Sequence, residues 1–397
     1  MRKRKTPKKK DIEKKESEKL VAIYFKNGIG NFIMLTPAIQ ALCAMHDAKA
    51  DIVLGDKWED SRKVGVRELA EYWPLVNSVY EFDRETFDRD RYEQLFYSRH
   101  GEKSDGFNYF EKHSGYDGEH VNWRAEKLNE VEFYMQDVFN LGYRGPVPGP
   151  YCHPGRTSIF TKNPNVFNKE VLKIGFCNGF FAGSRWKWER KGWPHYEELV
   201  RLLNRFFGEG SFQILLFGKG EKEKEWARGV REMGNNVVDY VNALEILQTA
   251  QLMRTCHLFI TTDTGLMHVA DALGIPMIVL FGPTLVSKNG PWNREHRIAK
   301  SPARCAPCQQ SPYFYNCEEW KCMEALSASM VMVEVREYVA DLVKRGKINP
   351  GLSAINRTDY VKWTCTGSGS LDKRIQSKSF NDDLYREDKN KNTMGGS

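Results

Sequence analysis

The sequence lacks any run approaching about 18 apolar residues, the length that a membrane-spanning helix needs. No apolar stretch follows the basic segment at residues 2–10, so we expect no secretory signal there. Repeats of solenoid period are also missing. The 41% hydrophobic and 12% aromatic residues of this 397-residue chain are enough to build the cores of two ordinary domains. We therefore expect a globular protein with no transmembrane segment.

Net charge is scarce away from the two ends of the chain. The total is +7, but residues 1–19 carry a surplus of +6 and residues 351–397 a surplus of +2. The part between them has a net charge of −1, which argues against a body that binds nucleic acid. Two interpretations of residues 1–19 stay open: a solvated, disordered arm, or an arm that contacts nucleic acid or an acidic membrane surface.

The nine cysteines divide into five that are widely scattered and four that cluster late in the chain. Without an export signal, reduced thiols in a cytoplasm are the expectation. The cluster is a CxxC pair, eight intervening residues and a CxxxxC pair, formed by Cys305, Cys308, Cys317 and Cys322. Thiolates are ligands of structural zinc, so the cluster indicates either a tetrathiolate zinc site or a structural or redox-sensitive group of thiols.

A DxD pair, of the kind that metal-using transferases employ, occurs at Asp88 and Asp90. It lies within a run of alternating charges, EFDRETFDRDRYEQ, that is typical of a solvated surface. We therefore predict no metal site at this pair.

The first half of the chain opens with a strand, a glycine turn and a helix. An apolar run at residues 20–25 predicts a buried strand, and apolar periodicity at 32–45 predicts a helix. Further strands are predicted at 51–55 and 78–82. Charges and aromatic residues replace this pattern between 84 and 130, and so long an irregular region is usually functional or mobile.

The second half alternates strands and helices more regularly. Strands are predicted at residues 172–177, 212–217, 237–241, 257–262 and 277–281, and helices at 195–207, 221–233, 243–255, 266–273 and 329–344. This alternation predicts an α/β fold with a parallel sheet covered on both faces. Ligands of such sheets bind at the carboxyl ends of the strands.

Composition suggests where the parts of the chain meet. The region rich in Pro and Gly at 145–154 predicts a linker, and residues beyond about 365 are expected to be disordered. The predicted organisation is therefore a basic disordered arm, two domains and a polar, largely disordered tail, at residues 1–19, 20–150, 151–345 and 346–397.

The strongest candidate site is the block TTDTGLMHVADALGIPMIVLFGPT, which begins at Thr261. Asp263 and Thr264 end a strand, Gly265 permits a tight turn, and the amides of the next helix's first turn suit a diphosphate. His268, four residues beyond Thr264, is placed to face the same ligand. The alternative is that Asp263 or Thr264 only caps the helix.

A second segment, NGFFAGSRWKWERKGWPHYEEL, places cations in a loop before a helix. Its candidate residues are Ser184, Arg185, Lys187, Arg190 and Lys191, which suit a clamp on a diphosphate leaving group. A solvated basic loop is the alternative, although its three tryptophans argue against that.

The glycine turn at Gly28 and Gly30 is a weaker signal. It lacks the full GxGxxG pattern because position 33 is isoleucine, so a dinucleotide-binding fold of the usual kind is not supported. A tight turn that places backbone amides at a cleft between domains fits better.

Together these segments resemble glycosyltransferase family 9, the ADP-heptose:lipopolysaccharide heptosyltransferase family, over roughly residues 20–345. The resemblance rests on NGIGNFIMLTPAIQAL, on KGWP at residues 191–194, and above all on DTGLMHVADALGIPMIVLFGPT. The CxPC motif with two later cysteines and a closing helix also looks like the end of many family members, which favours a structural role for the cysteines.

The resemblance implies the GT-B fold, in which two Rossmann-like domains with parallel sheets face each other across a cleft. It implies a donor site in the C-terminal domain, an acceptor side in the N-terminal one, no required metal or cofactor, and an ADP-sugar as the favoured donor. By the resemblance Ser184 and Lys191 contact the donor diphosphate. The block with Asp263, Thr264, Gly265 and His268 holds the nucleotide sugar.

One position departs from the family pattern. The family has an aspartate directly after the second glycine of the N-terminal turn, thought to act as general base, and this chain has Asn31. An amide orients substrates by hydrogen bonding but does not accept a proton as a carboxylate does. Other carboxylates in the variable region, Glu111, Asp117 and Glu119, are candidates, and the sequence does not select among them.

The sequence thus predicts a metal-independent, inverting glycosyltransferase that moves heptose or a hexose-like sugar to a glycan or lipopolysaccharide-type glycolipid. We expect it in the cytoplasm, peripheral to the inner membrane face. A DNA-modifying transferase of the phage type, guided by the basic arm, is the second hypothesis. A non-catalytic nucleotide-sugar-binding protein is the third, and a nucleotide-sugar isomerase is a weaker alternative.

Overall fold

The computed structural model describes residues 18–55, 60–98, 104–115, 128–153, 171–179, 188–319, 321–352 and 354. These residues form two parallel sheets flanked by helices, as the alternating pattern predicts. Residues 1–17 of the predicted arm (1–19), and the part of the predicted tail (346–397) beyond residue 354, lie outside the described residues.

The N-terminal sheet has four parallel strands in the order β3-β2-β1-β4. The strands are β1 (Leu20–Phe25), β2 (Lys49–Leu54), β3 (Val76–Glu81) and β4 (Gln94–Tyr97), and the helices are α1 (Ile29–His46), α2 (Asp60–Glu71), α3 (Asp105–His113) and α4 (Glu130–Asn140). Every residue of β1 is buried, as in a central strand covered on both faces. The region predicted to be irregular, 84–130, therefore holds β4 and α3, so that prediction was wrong in part. Its few short apolar runs are too brief to show a period.

Helix α1 contains a proline at its centre without losing its hydrogen bonding. Pro37 has no N–H to donate, which leaves the carbonyl of Ile33 without its usual helical partner. The hydroxyl of Thr36 donates to that carbonyl at 2.7 Å and accepts the N–H of Tyr151 at 2.7 Å. One buried threonine thus repairs the helix and fastens the chain beyond α4 to it.

By length and composition α1 is the one helix, within the part of the chain described, that passes the criteria for a membrane span. Most of it is buried inside the protein, where it packs between β1 and the helices around it. A core helix meets the same criteria, so this finding is weak evidence for a membrane span.

The C-terminal sheet has six parallel strands in the order β10-β9-β8-β5-β6-β7. They are β5 (Leu172–Cys177), β6 (Phe212–Phe217), β7 (Val237–Asp239), β8 (Leu258–Thr262), β9 (Met277–Phe281) and β10 (His296–Lys300). The helices are α5 (Tyr196–Phe207), α6 (Glu221–Arg231), α7 (Ile246–Met253), α8 (Gly265–Ala272), α9 (Val286–Asn289), α10 (Tyr313–Asn316), α11 (Lys321–Ala325) and α12 (Ala328–Lys344). The sequence did not predict β10, whose exposed and half-buried residues give it no apolar run.

The two halves share part of their core. Helix α1 packs against α8, so apolar residues of both sheets join in one buried cluster. A second cluster under α5 and α12 belongs to the C-terminal sheet alone, and it includes Ile348, Leu352 and Ala354. Packing therefore continues past residue 345, the predicted end of the domain.

Candidate functional site

Each sheet reverses its strand order at one point. In the C-terminal sheet the chain adds β6 and β7 on one side of β5, and β8 to β10 on the other. In the N-terminal sheet the reversal falls between β1 and β4. Ligands of open α/β sheets bind in the crevice at the carboxyl ends of the strands beside such a reversal. The segments after β1, β4, β5 and β8 are therefore the candidates for a functional site.

Beyond β8, Thr264 and Asp263 have different roles. The Thr264 hydroxyl oxygen accepts the N–H of Met267 at 3.3 Å, so Thr264 is the N-cap of α8. Asp263 does not cap the helix. Its Oδ2 lies 3.5 Å from the Nζ of Lys191 and accepts a hydrogen bond from the Nδ2 of Asn289 at 3.2 Å. The capping alternative thus applies to Thr264 alone.

Lys191 reaches this position because the segment after it is fixed to the end of β5. The side chain of Asn178 exchanges two hydrogen bonds with the backbone of Trp193, at 2.7 and 2.9 Å. Trp193 is fully buried, and its indole N–H donates to the carbonyl of Leu326 at 2.6 Å. This tryptophan is a core anchor that holds the basic segment beside the crevice.

Gly179, which the sequence did not single out, completes the approach of β5 to β8. Its N–H donates to the hydroxyl of Thr262 at 3.1 Å, and an added Cβ would overlap the Thr264 side chain. Glycine is therefore required by space at this position. The signal for it in the sequence is a glycine that follows closely after a predicted strand, in NGFF.

The other residues of the predicted cationic clamp do not join Lys191. Arg190 is buried, donates to the carbonyl of Phe314 and lies over the Phe314 ring at 4.4 Å, so it stabilises the fold. The interpretation of Arg190 as a diphosphate ligand was wrong. Ser184, Arg185 and Lys187 lie outside the described residues, and their role stays a prediction.

The N-terminal glycine turn meets the C-terminal block directly. An added Cβ at Gly30 would lie 2.8 Å from His268 Cδ2, and one at Gly265 would lie 3.5 Å from the Gly30 nitrogen. Gly28, by contrast, has ordinary space, with Asn31 Oδ1 3.7 Å from an added Cβ. Only Gly30 is therefore needed for the close approach of the two halves.

His268 is buried at the centre of this contact. Burial lowers the pKa of its imidazole, and Lys191 lowers it further, while Asp263 and Glu130 oppose both effects. The imidazole is therefore neutral at pH 7. A neutral imidazole donates from one nitrogen and accepts at the other. The charges that act on it come from both halves of the molecule, because Glu130 begins α4 whereas Asp263 and Lys191 belong to the C-terminal half.

Asn31 forms part of a polar network beside the reversal of the N-terminal sheet. Its Nδ2 donates to Glu130 Oε1 at 2.5 Å, and the Tyr134 hydroxyl donates to the same oxygen at 2.9 Å. The Tyr134 hydroxyl in turn lies 3.2 Å from the hydroxyl of Ser98, directly after β4. The sequence interpretation missed Glu130. The capping pattern NEVE, which starts α4 at Asn129, was the signal that placed it in a first helical turn.

Of the three carboxylates proposed from the sequence, Glu111 alone belongs to the part of the chain that the structure describes. Glu111 lies on α3, which covers the face of the sheet opposite to α1. Asp117 and Glu119 lie outside the described residues.

The cysteine cluster lies close to the buried Arg190 contact. Burial and the neighbouring thiols raise the pKa of Cys308, and the same causes raise the pKa of Cys322 to about 11. Among the described residues, no three His, Cys, Asp or Glu side chains are placed to hold a metal ion. The zinc interpretation therefore gains no support. Asp88 accepts the N–H of Asp90 at 3.1 Å, a local turn contact on an exposed surface.

Comparison with known proteins agrees with this geometry. The family model described as glycosyltransferase family 9 (heptosyltransferase) matches residues 164–317. Lipooligosaccharide heptosyltransferase 2 of Campylobacter jejuni is 26% identical over 183 residues, covering 44% of this chain and 54% of the relative. Lipopolysaccharide heptosyltransferase 2 of Salmonella typhimurium is 30% identical over 191 residues, covering 43% and 50%. The chain thus spans about half the length of these curated relatives.

Two solved structures share the architecture over nearly their whole length. A family 9 glycosyl transferase from Veillonella parvula superposes with a TM-score of 0.60 at 15% identity, covering 81% of this chain and 97% of that one. ADP-heptose lps heptosyltransferase II of E. coli gives 0.59 at 20% identity, covering 81% and 99%. The fold is therefore the predicted GT-B arrangement, and residues 164–317 are similar to glycosyltransferase family 9.

Proposed function

We propose that this protein transfers heptose from ADP-heptose to a hydroxyl group of a lipopolysaccharide-type acceptor. The relatives carry that activity in their names, and one solved neighbour is an E. coli heptosyltransferase with ADP. The observation that carries the proposal is the position of Lys191, 3.5 Å from Asp263 at the start of α8. A cation and the N-terminal end of α8, where the helix dipole favours negative charge, meet there, as a diphosphate requires.

The geometry gives each part of this site a step in the transfer. The acceptor oxygen attacks the anomeric carbon from the N-terminal side while the bond to the diphosphate breaks on the other side, which inverts the configuration. Negative charge then grows on the leaving diphosphate. Lys191, positioned by Asp263, and the first-turn amides of α8 stabilise that charge. Because the ion pair is loose at 3.5 Å, the ammonium is able to shift toward a bound phosphate.

The remaining residues act on the donor and the acceptor as neutral groups. His268 donates or accepts a hydrogen bond at the donor, because burial keeps it uncharged. Asn31 orients the acceptor side, and the turn at Gly28 and Gly30 brings α1 against the donor site. We also propose that Ser184, Arg185 and Lys187 close over the diphosphate.

The reaction needs no metal ion or further cofactor on this proposal, so transfer in excess EDTA should equal transfer without it. We place the protein in the cytoplasm at the inner membrane face, where residues 1–19 contact acidic lipids. The relatives act on lipopolysaccharide or lipooligosaccharide by name, which does not favour a DNA acceptor or a non-catalytic binder.

Donor binding and transfer test the proposal separately. ADP-heptose at about 100 times its Kd should stabilise the protein by roughly 2.7 kcal/mol in a thermal-shift assay, whereas UDP-sugars should not. Release of ADP should depend on a truncated lipopolysaccharide acceptor. Lys191→Ala and Asp263→Ala should abolish donor turnover, with Lys347→Ala, an exposed lysine far along the chain, as the matched control. Full turnover in the first two variants would remove this assignment.

A further inference from the structure

The residue that faces Asn31 is a carboxylate. Glu130 occupies the first turn of α4, where the helix dipole favours negative charge, and both donors described above converge on its Oε1. Glu130 is half-buried, so a bound substrate can reach it.

The network fixes Glu130 between the two crevices. On one side, Tyr134 connects it to Ser98 at the carboxyl end of β4, beside the reversal of the N-terminal sheet. On the other side, its charge reaches His268 in the donor site. The Asn129 side chain, one residue before, donates to the carbonyl of Gly290 at 3.1 Å and so ties the start of α4 to the C-terminal half.

We propose that Glu130 is the general base of the transfer, in place of the aspartate that Asn31 replaces. This step rests on the proposed function. The acceptor hydroxyl gives its proton to the Glu130 carboxylate as its oxygen forms the bond to the anomeric carbon. The bond from that carbon to the diphosphate oxygen breaks, and its electron pair leaves with the nucleoside diphosphate. The products are the glycosylated acceptor, ADP and protonated Glu130, which returns the proton to water.

The neutral amide at position 31 follows from this assignment. Two carboxylates at a separation of 2.5 Å cannot both ionise, so an aspartate beside Glu130 would leave one group protonated. Asparagine keeps a single carboxylate and supplies the N–H that orients it. Asn31 is therefore a positioning residue, and Glu130 is the residue that contacts the acceptor.

The decisive variant is Glu130→Gln, which keeps the size and removes the proton acceptor. We expect it to lower kcat for heptose transfer by at least 100-fold, within the range typical of a general base, while the Kd for ADP stays within twofold of wild type. The matched control is Glu132→Gln in the same helical turn. Glutamine serves as well as glutamate in the capping box that Glu132 forms, so full activity is expected.

A second variant tests the exchange of roles. Asn31→Asp combined with Glu130→Gln restores one carboxylate at the position of the family aspartate, and transfer should recover at least tenfold over Glu130→Gln alone. Failure to recover, or a Glu130→Gln variant with more than a third of wild-type kcat, overturns the assignment of Glu130 and leaves the proposed function intact. A wild-type protein that binds ADP but transfers no heptose refutes both.

Discussion

Gly30 lies where the two halves of the molecule approach most closely, so replacing it with alanine tests that contact. An added methyl group would lie 2.8 Å from Cδ2 of the buried His268, whereas ordinary contacts of this type are 3.4 Å or longer. Relief requires the imidazole or the start of α1 to move by about 0.6 Å. Such overpacking costs typically about 1–3 kcal/mol.

A second effect partly offsets this cost. Gly30 is within the first turn of α1, and alanine in place of a helical glycine stabilises by about 0.5–1 kcal/mol. The net expectation is a loss of up to about 2.5 kcal/mol, which lowers Tm by up to about 3 °C for a protein of this size. The displaced imidazole should also weaken ADP binding.

The loss of stability is measured as the Tm of Gly30→Ala, with Gly28→Ser as the control variant. Gly28 is the N-cap of α1 in an extended conformation, its added Cβ meets nothing closer than 3.7 Å, and serine is a favoured N-cap. Gly28→Ser should therefore unfold at or above the wild-type temperature. A Gly30→Ala variant as stable as wild type, with unchanged ADP binding, would show that the two halves do not meet as described.

Three further predictions follow from individual contacts. Arg190→Ala should lower the free energy of unfolding by about 2–3 kcal/mol, because the Phe314 carbonyl loses a charged donor. The variant should bind ADP with the wild-type Kd, and a loss of binding in calorimetric titration with ADP would contradict this. Asn31→Asp alone should show a transfer rate below wild type at acid pH that recovers as pH rises, since its two carboxylates share one proton, and superimposable pH profiles would refute this. Burial lowers the pKa of His257 to about 4, and its Nδ1 accepts the N–H of Lys173 at 3.0 Å. A group whose pKa is lowered in the folded state contributes stability above pH 6.5 that is lost as pH falls toward 4. His257→Asn should therefore reduce the loss of unfolding free energy between these pH values by at most about 3 kcal/mol. A Tm that falls with pH as steeply as in wild type would contradict this.

Much of the fold could be predicted because the central strands are continuous apolar runs. The bounds of β1, β5, β6 and β9 agree with the sequence prediction to the residue. Two of the four edge strands, β4 and β10, were missed because they lack such a run. β10 has three half-buried residues, one buried and one exposed, and β4 has only four residues in a region rich in charge. A continuous apolar run makes a strand visible in sequence, and a short strand or one of mixed polarity does not provide it.

Sequence continuity also decided which residues of the candidate site could be predicted. Asp263, Thr264 and His268 were predicted together because they lie in a strand, turn and helix that are continuous in sequence, and Lys191 was predicted from the separate basic segment after β5. Arg190 was misjudged because adjacent residues of a short helical turn point in different directions, and sequence proximity to Lys191 says nothing of that. Glu130 was missed because it is 99 residues from Asn31, and only folding brings the two together.

The pairing of Asn31 with Glu130 also limits the negative charge that the proposed acceptor side places beside the proposed donor site. On the proposed function, the donor brings a diphosphate to the other crevice, and each extra carboxylate nearby would oppose its binding. Asp263 is already present there and is balanced by Lys191. The acceptor side has one carboxylate in this network, and two hydrogen-bond donors contact it. This arrangement keeps a proton acceptor and adds the least repulsion to donor binding. A second carboxylate at position 31 would therefore weaken donor binding as well as slow the proton transfer.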